Sequence, residues 1–92
     1  MSDIEVMPLR EGAFGVKVTE GEVTTDHRVT VPPAFVEDVG LGGTEPEVIV
    51  RESIAFLLER EPATSILRAF SLDEIVRYFP EFTSELPRRL RG

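Results

Sequence analysis

Two consecutive prolines, Pro32 and Pro33, divide the chain into a part with one hydrophobic period and a part with another. Proline has no amide to give to a β-ladder, so the pair ends any strand that runs into it. Before the prolines the apolar period is two. Phe14, Val16 and Val18 alternate with Gly15, Lys17 and Thr19, and Val29 and Val31 alternate with Arg28 and Thr30. That is the pattern of strands with one buried face. Glu20-Gly21 is placed to turn between them, with glycine free to take a positive φ, and Glu22–Thr25 begins the return. Residues 14–31 are therefore expected to form a β-hairpin. Ile4 and Val6 suggest an edge strand in an otherwise loosely ordered segment, 1–12.

After the prolines the period becomes helical. Pro33 suits the first position of a short helix, where its missing amide costs nothing. Phe35, Val36 and Val39 give that helix an apolar side, and Gly40 is placed to cap its end with Leu41 closing on Val36. Thr44-Glu45-Pro46-Glu47 has the threonine and the glutamate three residues on that a capping box needs. It predicts a helix from about Glu45 to Arg60, buried along Val50, Ile54, Leu57 and Leu58 and widened by Ile49 and Phe56. Ile66, Leu67 and Phe70 form the apolar side of a further short helix. Ser71-Leu72-Asp73-Glu74 is a second capping box, and Leu72, Ile75, Val76 and Phe79 follow on one helical stripe. Pro80 ends it, and Phe82, Leu86 and Leu90 make a last apolar contact.

The expected fold class is thus α+β: a small antiparallel sheet of two or three strands followed by three or four helices. A length of 92 residues fits a single domain. Its parts are the segment 1–12, the hairpin 14–31, a helical half 33–86 and a basic tail 87–92, expected to be solvated and frayed.

The charge and the missing residue types narrow the function. A formal net charge of -7 does not suit non-specific binding to phosphate, so nucleic acid is possible but not favoured as a partner. There is no cysteine, which removes disulfides and thiolate metal sites and makes the cytoplasm the expected compartment. No stretch is apolar for long enough to span a bilayer, and no basic, then apolar leader opens the sequence.

Catalysis has little to draw on. His27 is the single histidine and Lys17 the single lysine. Asp26, next to His27, would point to the opposite face of a strand and could not orient it. His27 is expected as a turn or strand-edge residue. Zinc needs three or four nitrogen or sulfur ligands and finds one here. Several acids stand in the first turns of expected helices, where the helix dipole accounts for them. No glycine-rich phosphate loop is present. No catalytic, cofactor or metal site is expected, and the protein is expected not to be an enzyme.

One cluster points instead to binding. Tyr78 and Phe82 flank Pro80 beside Arg77, and tyrosine and arginine are favoured interface residues. Arg77, Tyr78 and Phe82 are the candidate partner-binding residues, and the expected partner is another protein.

A second expectation comes from resemblance. His27-Arg28-Val29-Thr30-Val31-Pro32 followed by Ala34–Val39 resembles the strand and first helix of ribbon-helix-helix repressors. The run from Thr44 to Ser53 is similar to the capped start of their second helix, so the likeness covers about residues 27–60. Many bacterial antitoxins have that fold. The resemblance implies an antitoxin-like DNA-binding transcriptional regulator, a homodimer in which two chains pair one strand each. Arg28 and Thr30 would then face bases and Thr44 would meet phosphate. Residues 28–41 also resemble the swapped-hairpin DNA-binding domain of transition-state regulators. An intramolecular hairpin instead permits a monomer. The primary expectation is a small, acidic, non-enzymatic protein-interaction module, with the regulator as the alternative.

Overall fold

The structure, a computed structural model describing residues 2–91, is a mixed α+β fold with four strands and four helices among those residues. Met1 and Gly92, the outermost residues of the expected first segment and basic tail, lie outside the described residues. In chain order the elements are β1 (Ser2–Arg10), β2 (Ala13–Glu20), β3 (Val23–Thr30), α1 (Pro33–Asp38), α2 (Pro46–Leu58), a 3-10 turn (Ala63–Ser65), β4 (Ala69–Ser71), α3 (Leu72–Tyr78) and α4 (Phe82–Arg91).

The alternation of the N-terminal part becomes three antiparallel strands. Ile4, Val6 and Pro8 stand opposite Val18, Val16 and Phe14. Phe14 and Val16 stand in turn opposite Val29 and His27. The period of two thus puts every large apolar residue of β2 on the inner face. Glu20 pairs with Val23, leaving Gly21-Glu22 as a two-residue turn. Gly21 has φ +60° and no non-glycine residue among the described residues has positive φ, the pattern of a type II′ hairpin. The edge strand suggested by Ile4 and Val6 is β1, the third of the expected strands; the sheet has one more, β4.

The fourth strand is where the helical half departs from expectation. Residues 66–68 are bends and irregular chain, not helix, and β4 pairs parallel to β3, with Arg28, Val29 and Thr30 opposite Ala69, Phe70 and Ser71. The sheet, in order β1-β2-β3-β4, is therefore mixed. Two physical reasons combine. The outer edge of β3 carries backbone groups that need partners, and the Arg28 amide donates to the Arg68 carbonyl at 2.7 Å. In addition, Ser71 caps α3 with φ -108° and ψ 148°. A cap residue is extended by nature, so the chain enters α3 already in strand conformation.

The two expected capping boxes part company. At Ser71 the box forms, with the Ser71 amide donating to Glu74 Oε1 at 3.2 Å. At Thr44 it does not: Glu45 is the cap of α2, and no side chain bonds to the helix start. Pro46 is the cause. A residue before proline is driven out of the helical region, so Glu45, at φ -60° and ψ 130°, becomes the last non-helical residue and Thr44 falls one position too early. The end of α1 is as expected. Gly40 has φ +75°. The Leu41 amide donates to the Val36 carbonyl at 2.9 Å and the Gly40 amide to that of Glu37 at 3.0 Å, the two bonds of a Schellman motif.

The core lies between the sheet and the helices. Phe14, Val16, Val18 and Val29 of the sheet belong to one buried cluster with Ile49, Val50, Ile54 and Phe56 of α2. Ser53 is buried in that same face and satisfies its hydroxyl by donating to the Ile49 carbonyl at 2.7 Å. Helix α2 also packs on α4, whose Phe82 and Leu86 are wholly buried. Phe82 stacks on Phe35 with ring centroids 5.8 Å apart and meets Phe56 at 4.9 Å. The expected basic tail is thus the end of a packed helix: Arg88, Arg89 and Arg91 occupy its last turn, where cations oppose the helix dipole.

Candidate functional site

Where α3 runs beside the connection from α2 to β4, the packing leaves a groove of about 230 Å³. Its floor is Leu57, Ile66, Phe70 and Ile75, all buried, with Phe79 at one side. One bank is α3, where Glu74 and Tyr78 are four residues apart and so share a helix flank. The other bank is the connection, with Glu61, Ser65 and Leu67. Tyr78 is 69% exposed and Leu67 52%, so each bank carries a large apolar surface open to solvent. The remaining lining polar groups are acids or serine, and no lysine or arginine lines the groove.

Local sequence explains this geometry. Phe70 points to the inner face because β4 is in register with Val29. Leu67 precedes the strand, and its carbonyl, not its side chain, is held inward: His27 Nδ1 donates to it at 2.8 Å. A carbonyl cannot donate, so the Nδ1 proton is fixed. His27 Nε2 lies 2.8 Å from Thr25 Oγ1. His27 is therefore not a turn or edge residue. It is 6% exposed on the inner face of an interior strand, and it ties β3 to the segment that forms a groove bank.

The expected binding cluster is split by this arrangement. Tyr78 is on the groove. Arg77 is exposed on α3 but does not line the groove, and Phe82 is in the core with none of its surface exposed. Leu67, Ser65 and Glu61 are not among the expected site residues; Leu67 is expected on the apolar side of a short helix and is instead 52% exposed. The available signal was the adjacent pair Ile66-Leu67, since an extended segment can bury only one of two neighbours.

Arg28 and Thr30 are exposed on the face of the sheet turned away from the helices, in β3. Thr44, partly buried, precedes α2 on the other side of that sheet. Both edges of β3 are occupied, by β2 and β4. Arg28 stands opposite Gly15 and Ala69, not opposite an acid. No three His, Asp or Glu side chains are grouped so as to hold a metal ion among the described residues. No helix among them is long and apolar enough to cross a membrane.

The strongest electrostatic feature is elsewhere, between α2 and α4. Arg89 bonds Glu59 through Nη2 at 2.5 Å and Glu52 through Nε at 3.3 Å. Arg60 meets Glu85 at 2.9 Å and Glu81 at 3.3 Å, and its guanidinium lies 3.6 Å from the centroid of the Phe56 ring. The hydrogen bond from Arg89, with the charges of Arg89 and Arg60 behind it, holds the Glu59 carboxyl below the usual range against a smaller opposing effect of burial. The bonds to Glu59 raise the Arg89 guanidinium in turn. These groups satisfy one another and tie two helices together.

Comparison with protein-family models, with curated proteins and with solved structures returns no match.

Proposed function

We propose that the protein is a non-enzymatic protein-interaction module and that the groove between α3 and the 61–67 connection holds its partner. The observation that supports this reading is the pair Leu67 and Tyr78, exposed on opposite banks of a groove whose floor is already apolar. Apolar surface left open and contiguous marks interaction sites in soluble proteins. Tyrosine adds a large contact area at small entropic cost, with a hydroxyl that can remain wet.

Size favours a protein side chain over a free small molecule. Small-molecule pockets usually enclose ~300–1,000 Å³; this groove offers about 230 Å³ and is open along one side. That space suits one or two anchoring side chains of a longer segment. Selection of random linear peptides on the immobilised protein tests the reading. Peptides enriched on the wild type should lose binding to Leu67→Asp and to Tyr78→Ser, and keep it to Lys17→Ala on the far face of the sheet. Enriched peptides that ignore both groove variants would remove the site from this groove.

A further inference from the structure

We propose that the segment held in the groove is cationic: one apolar side chain set between Leu67 and Tyr78, with a neighbouring lysine or arginine held by the carboxylates of Glu61 and Glu74. This rests on the groove being the docking site. Four observations carry it.

First, the charged residues lining the groove are Glu61 and Glu74, one on each bank, with no base among the lining residues. A ligand cation near the apolar floor meets acid from both sides. Second, those acids have charge to offer. The carboxylates of Glu52, Glu59, Glu81 and Glu85 are committed to Arg60 and Arg89. Glu61 makes no ion pair among the described residues, and Glu74 spends one oxygen on the Ser71 amide. Third, the surplus is general: a net charge of -7 favours approach by a positive segment over a negative one. Fourth, the chain's own arginine-rich stretch is not the occupant. It is helix α4, fixed by Phe82 and Leu86 in the core, and Arg89 is bonded to α2.

The geometry also sets the recognition order. The floor excludes water and holds the apolar side chain, which supplies affinity. The two carboxylates stand at the partly exposed margin, where charge pairs are worth little singly. They select among apolar segments by the sign of the flanks more than they add to binding.

The test is a titration of the isotope-labelled protein, followed by amide chemical shifts, with three short glycine-rich peptides. Each has one central phenylalanine, flanked by lysines, alanines or glutamates. The lysine peptide should shift the amides of Leu67, Phe70, Ile75 and Tyr78 and bind most tightly, with the advantage falling at high salt. Each of Glu61→Gln and Glu74→Gln should weaken it by about two- to fivefold and leave the alanine peptide unchanged. Glutamine can still accept the Ser71 amide, so the cap of α3 survives the second change. Equal binding of the lysine and alanine peptides overturns the cationic assignment and leaves the groove as an apolar docking site. A failure of all three to shift groove amides overturns both.

Discussion

Phe82 shows how much one residue's placement can alter. It follows Tyr78 by four residues and Arg77 by five, and by residue type it belongs with them in an exposed cluster. In the structure it stacks on Phe35, meets Phe56 at a tilt and has no exposed surface. Phe82→Ala should cost about 3–5 kcal/mol, because it leaves a cavity where three rings meet. Arg28→Ala should cost no more than ~1 kcal/mol, since the residue is exposed and faces glycine and alanine across the sheet. Urea unfolding of the two variants under one condition measures the contrast. Glu59 adds a dependence on acid. Its folded carboxyl lies below its unfolded value because Arg89 donates to it. The contribution is therefore present above the ordinary carboxylate range and is lost as pH falls through the lowered folded value. Arg89→Met should flatten the acid limb of stability against pH. The effect is small, because half of the Glu59 side chain is in water. An unchanged acid limb would show that the pair contributes nothing to folding.

Helix starts and stops were legible wherever the signal was local and complete. Ser71 with Glu74, and Gly40 with Leu41, formed as their sequence implied, since each motif closes within a few residues. The Thr44 box failed because a single intervening proline moved the cap by one residue, a constraint on the backbone that outranks a side-chain bond. The pair provides a direct test. Ser71→Ala should cost about 0.5–2 kcal/mol, and Thr44→Ala less than ~0.5 kcal/mol, as a change away from any such feature. Thermal unfolding of both variants separates the motif that forms from the one that does not. Gly40→Ala should cost about 1–2 kcal/mol for the left-handed backbone alone, as nothing lies within 4 Å of the added methyl. Strand β4 was not legible, because Ile66, Leu67 and Phe70 fit a helical turn as well as an extended segment. Only the edge of β3 that β2 leaves unpaired, far away in sequence, decides between them. Without β4 the groove it floors is not legible either: Glu74 reads as part of a helix cap and Leu67 as helix core, and Tyr78 is the one bank residue that reads as a binding residue.

For the molecule as a whole, the N-terminal and C-terminal parts share one core. Helix α2 touches β1 on one side and α4 on the other, and Phe82 and Leu86 complete the packing from the end of the chain. A chain shortened to end at Pro80 should therefore lose its cooperative unfolding transition, as judged by circular dichroism, and not merely a loose tail. Pairing of β3 with β4 is different in kind from the two hairpins. The hairpins close across turns of two residues, whereas β4 reaches β3 only after α1 and α2 have intervened, and the ladder it makes is three residues long. Contacts so distant in sequence form late in folding, and a short ladder opens early in the native state. The amides of residues 69–71 should then exchange with deuterium through a partial opening, well before those of Val16 and Val18. Phe70 belongs to that opening and also to the floor of the groove. A segment seated there binds only the closed form, so its affinity is lowered by whatever fraction of the molecules is open, and its presence slows exchange at 69–71 without touching the hairpins. The least secure strand of the sheet thus becomes a meter of occupancy.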